Sequence, residues 1–535
     1  MDERTFTIRG AAAIDGSGSA AQRADVVVVE GMILKFGSVL RGEEQGKIID
    51  GSGLTLAPGF IDLHSHSDLA VLSDPEHLSK VTQGVTLEVV GQDGLSYVPS
   101  TEETVHVLRE QLFGWNGEPA GINWNIHSVA DYLNEVDKGA AVNVAYLIPH
   151  GSVRMMVRGN VAGLSSPLEL AEMCQVVEKG MKEGAVGLSA GLTYTPAMYA
   201  DDAEIVALCQ VVAKYDGYYA PHHRNYGARF LDAVDDCIEI ARSSGVALHL
   251  THCHMSAPIN HDRTDLLFDR LAKAASDGID VTLDSYPYLA GSTYLHAMLP
   301  SWVQDGGNAQ MRARLNSREN RLKVIHELTV TGSDGNHGGT MSWEVMKIAG
   351  VQRPEHLKLV GLSLTEAAQL ANQQPVDFYL DFILAEDFKA STIIFSGHEG
   401  NLRSIMQHPK HMAGSDGILS GNRPHPRAFG TFARYLGHYA REEGVLTLEG
   451  AVAHMTGRPA SRLSLTDRGL LKEDYRADLT LFDAKTVIDR ATYEDPRQPA
   501  AGFESVWVDG VRTLENGRRT AQLPGKAVRS GSLRN

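Results

Sequence analysis

The sequence predicts an α/β protein built on a (β/α)8 TIM-like barrel. A small β-sandwich domain formed by both chain ends and an insertion between barrel strands seven and eight are predicted to accompany it. Three observations predict this fold: eight short apolar runs alternate with helical patterns, β-rich segments stand at both ends, and the connection before the eighth run is very long. Because 535 residues exceed what one compact core usually fills, a main and a smaller domain are expected.

The two ends of the chain carry the pattern of β-hairpins. VVVVEGMILKFG near the start and SVWVDGVRTLENG near the end are β-rich runs interrupted by Glu-Gly and Asp-Gly. Such dipeptides are typical of tight hairpin turns. We therefore predict that residues 1–58 and 471–535 join into one small β domain, and that residues 59–470 form the barrel.

The central region repeats an apolar run followed by a helical pattern. The predicted barrel strands are, in order, GFIDLHSH, TLEVVGQD, NVAYLIPHG, AVGLSAGLTY, GYYAPHHR, ALHLTHCH, DVTLDSYPY and HMAGSDG. Between them apolar residues recur with the helical period, as in Leu170, Met173, Val177 and Met181. Glycines precede the next strands, where a helix end often needs a left-handed residue; they are Gly84, Gly139, Gly184, Gly217, Gly245 and Gly278.

The connection between the seventh and eighth strands is far longer than the ~12–15 residues of a plain loop. Residues from about 296 to 390 contain helical patterns of their own, such as SLTEAAQLANQ. We predict that this insertion forms a lid or a side wall of the functional site.

Composition excludes several classes of function. With 49 basic and 66 acidic residues the net charge is −17, which argues against binding to nucleic acid or to a membrane surface. No apolar run approaches the roughly 20 residues of a membrane span, and the charged start MDERTFTIRG does not resemble a signal peptide. Four cysteines are too few for a disulfide framework, and Cys237 shares a helical stripe with Phe230 and Val234, which indicates core packing. We expect a cytoplasmic monomer or small homo-oligomer whose partner is a small-molecule substrate.

Polar residues crowd the carboxyl ends of the predicted strands, the edge at which such barrels carry their chemistry. They are His64, His66, Asp93, His150, Tyr194, His222, His252, Tyr286 and Asp416. His64 and His66 stand two apart on one strand, so both imidazoles point the same way and can converge on one point. Several histidines at one rim indicate a metal ion as the occupant.

Metal-assisted hydrolysis is the chemistry that this rim favours. A Zn²⁺-type ion lowers the pKa of water and polarises a carbonyl group, and catalytic zinc sites use three histidine or carboxylate ligands with one open position. His222, His252 and Asp416 offer such ligands at the ends of strands five, six and eight. A carboxylate beside a metal can also shuttle a proton, and Asp416 is our candidate for that general base.

Six segments resemble, in the same order, those of the amidohydrolase superfamily, and more closely its D-aminoacylase (N-acyl-D-amino-acid deacylase) group. The segments are PGFIDLHSHSD, GLSAGLTYTP, THCH, DSYPYLAGST, GSDG and PHPRAFGTFAR. The resemblance runs from about residue 5 to about residue 530. It implies metal-dependent hydrolysis of the amide bond of N-acyl-D-amino acids, giving a carboxylate and a free D-amino acid. One or two divalent ions are implied, with zinc as the first candidate and other divalent metals left open.

The resemblance also implies roles for the metal ligands. His222 and His252 would hold the tight metal, and His64 and His66 the weaker second position. Asp416 would act as the general base and then as the acid.

The same resemblance implies a frame for the substrate. Tyr286, Ser292 and Arg427 would bind the carboxylate of the N-acyl amino acid, which suits the bidentate fork of an arginine. Tyr194 would line the pocket. His150 and Arg154 match a family segment that would support the site from outside the ligand shell.

Two positions depart from the family pattern. Where the family carries G-N-C-G with a bridging cysteine thiolate, this chain reads GQDG at residues 91–94. Asp93 can bridge with harder oxygen ligands, which could favour other divalent metals; Glu88, further back in the strand, is the weaker candidate. The second departure is His254, which replaces a family lysine that serves as a carboxylate partner, so a titratable group is expected there.

Two other functions remain open from the sequence. A cyclic-amide hydrolase of the hydantoinase or dihydroorotase kind shares the barrel and the H-x-H motif, but those enzymes use a carbamylated lysine on strand four, and AVGLSAGLTY contains none. A non-catalytic binding protein on the same scaffold would typically have lost ligands, whereas every candidate position here is filled by a metal-competent residue. The preferred acyl group, the side chain, the metal and the oligomeric state stay undetermined.

Overall fold

A computed structural model describes residues 3–530 of the chain. The strands are, in chain order, β1 (Phe6–Ala13), β2 (Gln22–Val29), β3 (Met32–Gly37), β4 (Lys47–Asp50), β5 (Thr55–Pro58), β6 (Phe60–Asp62), β7 (Val85–Val90), β8 (Asn143–Pro149), β9 (Gly187–Gly191), β10 (Tyr218–His222), β11 (Ala247–Leu250), β12 (Val281–Ser285), β13 (Gly291–Tyr294), β14 (Met346–Gly350), β15 (Ser391–Ile394), β16 (His411–Ala413), β17 (Leu479–Phe482), β18 (Phe503–Val508), β19 (Val511–Glu515) and β20 (Arg518–Arg519).

The helices connect and cover these strands. They are α1 (Ala70–Ser73), α2 (Leu78–Val81), α3 (Glu102–Gln111), α4 (Phe113–Asn116), α5 (Val129–Val136), α6 (His150–Arg158), α7 (Pro167–Lys182), α8 (Asp202–Ala213), α9 (Phe230–Ser244), α10 (Thr264–Ser276), α11 (Ser301–Gln304), α12 (Gly307–Asn316), α13 (Arg318–His326), α14 (Leu364–Leu370), α15 (Pro375–Ala385), α16 (Glu399–Met406), α17 (Arg427–Arg434), α18 (Leu448–Met455) and α19 (Gly457–Arg462). None of the helices within residues 3–530 is both long and apolar enough to cross a bilayer.

Eight strands form the predicted parallel barrel sheet, in the order β16-β12-β11-β10-β9-β8-β7-β6. Seven lie within the predicted apolar runs, and β7 begins one residue before its run, at Val85, so the barrel prediction is confirmed. The segments after β6 and β16 close the ring: a parallel bridge joins Ser65 to Gly417, and the Asp416 amide donates to the His64 carbonyl at 2.7 Å. Closure therefore runs through the two motifs that carry candidate ligands.

The helices pack on the barrel through the stripes read from the sequence. In α7, Met173, Val177 and Met181 are buried, and in α9 Cys237 is buried in the core as expected. Apolar residues spaced by the helical period place their side chains on the one face that meets the strands.

The glycines before the strands adopt left-handed conformations with one exception. Gly84, Gly139, Gly184, Gly245 and Gly278 have positive φ, whereas at the fifth strand Asp216 takes the left-handed position with φ 53°. Gly217 is needed for a different reason: a Cβ there would lie 2.7 Å from Val212 Cγ1.

The two chain ends meet in one sheet. Its strand order is β20-β19-β18-β17-β5-β1-β2-β3, with β4 beside β1, and the antiparallel pair of β17 with β5 joins the two ends. The Phe6 and Trp507 rings stack across the two halves with centroids 5.3 Å apart. The exact domain limits at residues 58 and 471 remain a prediction.

The segment between β12 and β16 carries its own sheet and core. β15 pairs antiparallel with both β13 and β14, and a separate apolar cluster packs beneath it, with Tyr294, Phe378 and Tyr379 among its members. Its sheet starts at Gly291 and ends at Ile394, slightly outside the predicted limits of 296 and 390, because the two flanking strands pair with each other.

Candidate metal centre and active site

The candidate ligands gather at the carboxyl rim of the barrel in two groups that share Asp93. One group contains His64, His66, Asp93 and Asp416, and the other contains Asp93, His222 and His252; in each, the ligand atoms lie within 4.8 Å of one another. The structure thus brings together all six residues that the sequence nominated as metal ligands.

Asp93 lies between the two groups. Its Oδ1 is 3.5 Å from His64 Nε2 and 3.3 Å from His252 Nε2, and its Oδ2 is 3.5 Å from both His66 Nε2 and His222 Nδ1. The residue has φ 52°, a conformation that Asp tolerates better than most side chains. The GQDG turn therefore aims one carboxylate at four imidazoles.

The donor atoms suit a metal ion. His64 Nε2 and Asp93 Oδ1 are buried and have no hydrogen-bond partner within residues 3–530. The outer nitrogens of the other pair are held in place: His222 Nε2 lies 2.8 Å from Thr193 Oγ1, and His252 Nδ1 lies 2.9 Å from the Tyr226 hydroxyl. Such outer partners orient an imidazole so that its remaining nitrogen can bind a metal.

The electrostatics of the rim favour positive charge at its centre. Burial lowers the pKa of His66, but its hydrogen bonds to Asp416 and Asp93 outweigh burial and raise that pKa to about 9. Burial alone would raise the pKa of Asp93, yet His252, His64 and His222 hold it well below its ordinary value. A site that stabilises an imidazolium between two carboxylates is also a site for a divalent cation.

Asp416 faces both the ligand group and a buried arginine. Its Oδ1 lies 3.1 Å from His66 Nε2, and its Oδ2 lies 2.9 Å from Arg427 Nη1. Burial would raise the pKa of the Asp416 carboxyl, but the Arg427 and His64 charges keep it below its usual range. Asp416 is therefore a carboxylate that can accept a proton.

A cavity of about 660 Å³ opens onto this rim. Of the predicted site residues, the following line it: Asp93, Tyr194, His222, His252, His254, Tyr286, Ser292 and Asp416. His64 and His66 are buried beneath them. Residues of the insertion form the opposite wall, among them Met298, His337, Glu344 and Phe395, so the insertion is a side wall of the site.

Arg427 does not reach the cavity wall. It is fully buried, and it is not among the lining residues, whereas Tyr286, whose ring centroid lies 4.4 Å from its Cζ, does line the cavity. The sequence predicts that Arg427 lies near the site, but its contact with the Tyr286 ring depends on tertiary packing.

The other substrate-side candidates are held by hydrogen bonds. His254 Nε2 accepts from the Tyr286 amide at 3.3 Å, so this nitrogen is unprotonated and His254 supplies no fixed positive charge. Ser292 Oγ donates to the Thr392 carbonyl at 3.0 Å, and the Tyr194 hydroxyl lies 3.0 Å from Thr293 Oγ1.

Three nominated residues lie away from the ligand groups. His150 and Arg154 both pair with Glu204, His150 Nε2 at 2.7 Å from its Oε1, and neither lines the cavity. Glu88 pairs with His77 at 2.7 Å and lies outside both groups of potential ligands, in keeping with its rank behind Asp93.

Sequence reasoning missed the buried ion pair that supports the rim. Lys80 Nζ donates to Asp62 Oδ2 at 2.5 Å, and Asp62 Oδ1 accepts from the amides of His64 and Ser415 at 3.2 and 2.8 Å. Asp62 belongs to the motif GFIDLHSHSD, and its position two residues before the H-x-H pair could have identified it as a residue that supports the ligands. No sequence pattern marked Lys80, which lies in the short helix α2.

Asp284 is a second missed residue. Its Oδ1 accepts from the His252 amide at 2.6 Å, and its Oδ2 lies 3.5 Å from His64 Nδ1 and 2.9 Å from His249 Nε2. It therefore orients a ligand from each group, and its position in DSYPY at the end of β12 could have identified it.

Comparisons with known proteins identify a family and several similar proteins. The model of the amidohydrolase family matches residues 47–514. A D-aminoacylase of Alcaligenes xylosoxydans xylosoxydans is 32% identical over 522 residues, 97% of this chain and 96% of that protein. An N-acyl-D-aspartate deacylase of the same organism is 32% identical over 528 residues, 98% and 95% of the two chains. The crystal structure of the N-acyl-D-glutamate deacylase from Bordetella bronchiseptica, complexed with zinc and a phosphonate inhibitor, matches with a TM-score of 0.83 at 29% identity and covers 98% of this chain and 99% of that one.

Asp93→Ala should lower the metal content of the protein, because it removes the one carboxylate shared by the two ligand groups. Asp93→Cys should restore metal binding with a shift toward zinc, since thiolate is softer than carboxylate. Metal content per chain is measured by mass spectrometry after dialysis, with the exposed Asp232→Ala as the matched control. Retention of parental metal content by Asp93→Ala would place the bridge on another residue.

Lys80→Met should lower the free energy of unfolding by about 3–5 kcal/mol, because it leaves Asp62 buried without its counter-charge. Lys138→Met is the control: this lysine pairs with Glu135 at 2.6 Å but is 68% exposed, so its loss should cost at most about 1 kcal/mol. Denaturant unfolding measures both. Equal losses for the two variants would show that the buried pair does not support the rim.

Proposed function

Because this chain belongs to the amidohydrolase family, we propose that it hydrolyses the amide bond of N-acyl-D-amino acids to a carboxylate and a free D-amino acid. The observation that carries the proposal is the pair of ligand groups sharing Asp93, with Asp416 beside them, at the floor of a cavity of about 660 Å³. Water enters the acyl carbon and the C–N bond breaks, so the two products account for all atoms of the substrate and one water.

We propose zinc as the resident ion, held in one or two positions by His64, His66, Asp93, His222, His252 and Asp416. Imidazole and carboxylate donors suit zinc, and the oxygen donor of Asp93 in place of a thiolate leaves other divalent metals open. A divalent ion bound there supplies Lewis acidity toward the amide carbonyl and lowers the pKa of water.

Asp416 is proposed as the group that moves the proton. Its carboxylate takes a proton from the attacking water and returns it to the leaving nitrogen, which departs as an amine. Support comes from its place at 3.1 Å from His66 and 2.9 Å from Arg427, because the charge of the arginine keeps the carboxyl ionised, which is the state that a proton acceptor needs before the transfer.

Tyr286, Ser292 and Arg427 are proposed to hold the α-carboxylate of the substrate, with Tyr194 and His254 lining the same side. Arg427 acts from behind the Tyr286 ring, at 4.4 Å. Its charge favours an anion at this end of the cavity.

The cyclic-amide alternative lacks its catalytic group. Strand four of the barrel, β9, has the sequence GLSAG, so no lysine is available there for carbamylation. The linear-amide reaction needs no such group.

The proposal is tested by a substrate screen. Metal-stripped protein is loaded with Zn²⁺, Mn²⁺ or Co²⁺ and offered N-acetyl-D- and N-acetyl-L-amino acids in parallel. We expect metal-dependent release of free amino acid from the D series, because relatives that match nearly the whole chain are a D-aminoacylase and an N-acyl-D-aspartate deacylase. Turnover of cyclic amides alone, or full activity in stripped protein, would contradict the proposal.

Asp416→Asn should lower turnover by roughly 10²–10⁴-fold, because the amide keeps the size of the group but cannot accept a proton. The same steady-state assay measures it, and a thermal melt checks that the variant is folded. A variant within a few-fold of the parent would assign the proton transfer to another residue.

A further inference from the structure

A column of polar side chains runs along β12 beneath the metal centre. Thr282 and Asp284 stand two residues apart on the strand, so both point to the same side of it, and both are buried. Asp280 directly precedes the strand, and its side chain is 62% exposed at the amino end of the barrel. Barrel interiors are usually filled by branched apolar side chains, so this polar column is an exception to the usual packing.

Hydrogen bonds connect the column from the amino end of the strand to the rim. Arg462, on α19, donates to both carboxylate oxygens of Asp280 at 2.9 and 2.8 Å, and its Nε donates to Thr282 Oγ1 at 2.9 Å. Thr282 Oγ1 lies 2.8 Å from His249 Nδ1. His249 Nε2 in turn lies 2.9 Å from Asp284 Oδ2, so each member has a partner on either side.

The donors in this column fix the tautomer of His249. Burial lowers the pKa of His249 and outweighs its hydrogen bond to Asp284, so the imidazole is neutral and carries one proton. An ionised carboxylate only accepts hydrogen bonds, so the ring proton is on Nε2 and points to Asp284. His249 Nδ1 therefore accepts from the Thr282 hydroxyl, whose oxygen already accepts from Arg462 Nε.

Asp284 connects this arrangement to the metal ligands. Its Oδ1 accepts from the His252 amide at 2.6 Å, and its Oδ2, which accepts from His249, lies 3.5 Å from His64 Nδ1. Because each oxygen has its own donor, the carboxylate cannot turn without leaving a buried polar group unpaired. The fixed carboxylate thereby holds the His64 ring, whose Nε2 faces Asp93 Oδ1 at 3.5 Å.

We propose, resting on the metal site proposed above, that Thr282 and His249 are positioning residues that fix the imidazole of His64 for metal binding. Their effect passes through Asp284, and Arg462 anchors them at the amino end of the barrel. Neither Thr282 nor His249 lines the cavity, so they act without touching the substrate. Loss of such outer partners typically weakens metal binding by about 10–100-fold.

Removal of single hydrogen-bonding groups tests the proposal. The affinity of the metal-stripped protein for Zn²⁺ is measured by competition with a chromophoric chelator for the parent, Thr282→Val and Thr282→Ser. Valine has the shape of threonine without the hydroxyl, so we expect binding to weaken about tenfold in Thr282→Val and to recover in Thr282→Ser. His249→Phe should weaken binding at least as much, and His249→Gln should recover part of the loss, because its amide can donate to Asp284 in place of Nε2.

The visible absorption of the Co²⁺-loaded protein gives a second readout, because it depends on the number and arrangement of the ligands. The spectrum should change in Thr282→Val and return in Thr282→Ser. A purely structural role of the hydroxyl would lower the melting temperature and leave the spectrum unchanged.

Thr480→Val is the matched control, because this buried threonine of β17 has a hydroxyl without a hydrogen-bond partner within residues 3–530. It should bind Zn²⁺ as the parent does, and thermal melts confirm folding of every variant. Parental Zn²⁺ affinity and Co²⁺ spectrum in both Thr282→Val and His249→Phe, or a loss that Thr282→Ser does not recover, would overturn the inference and leave the metal site standing. Failure of the parent to bind Zn²⁺ would overturn both.

Discussion

The carboxylate of Asp62 ties the first barrel strand to the last, and the geometry of the site depends on this contact. Asp62 accepts from the His64 amide, from the Ser415 amide and from Lys80. The His64 amide is itself one of these donors, and Asp416 is the residue after Ser415. One buried carboxylate therefore fixes the distance between a candidate metal ligand and the candidate proton acceptor. The barrel closes at the place where its chemistry is located.

Buried charge makes this rim rigid. Lys80, Asp62, Glu88 and His77 are all inaccessible to solvent and are paired with one another. Moving any one of them would separate charges in a medium of low polarity, which is costly. Asp284 adds a second support, because its carboxylate accepts a hydrogen bond from the His252 amide and lies beside His64 Nδ1. Preorganised ligands of this kind lose little conformational freedom when a cation binds.

The sequence was sufficient for features that follow from periodicity and chain order. The chain order placed His64 and His66 at the rim directly after the first barrel strand, although β6 ends at Asp62, so that they do not alternate along a strand as expected. The shared carboxyl edge of the parallel strands brought Asp93 to His222 and His252. Features that depend on packing were beyond it. The Tyr286 ring covers Arg427, Lys80 reaches Asp62 from a short helix, and Asp216 rather than Gly217 takes the left-handed conformation. The first two have no local signature, because each results from neighbours distant in the chain.

The strands β13 and β15 pair with each other at the two ends of the insertion, so the chain leaves the barrel and returns to it at neighbouring points. Gly291 faces Ile394 and Tyr294 faces Ser391, so the whole intervening segment begins and ends side by side. Lengthening or shortening a segment with pinned ends changes loop-closure entropy only slightly. Mutation can therefore remodel this wall as a separate unit while the ligands on the barrel strands keep their positions, and descendants of one ancestral enzyme can acquire new substrates without rebuilding its chemistry.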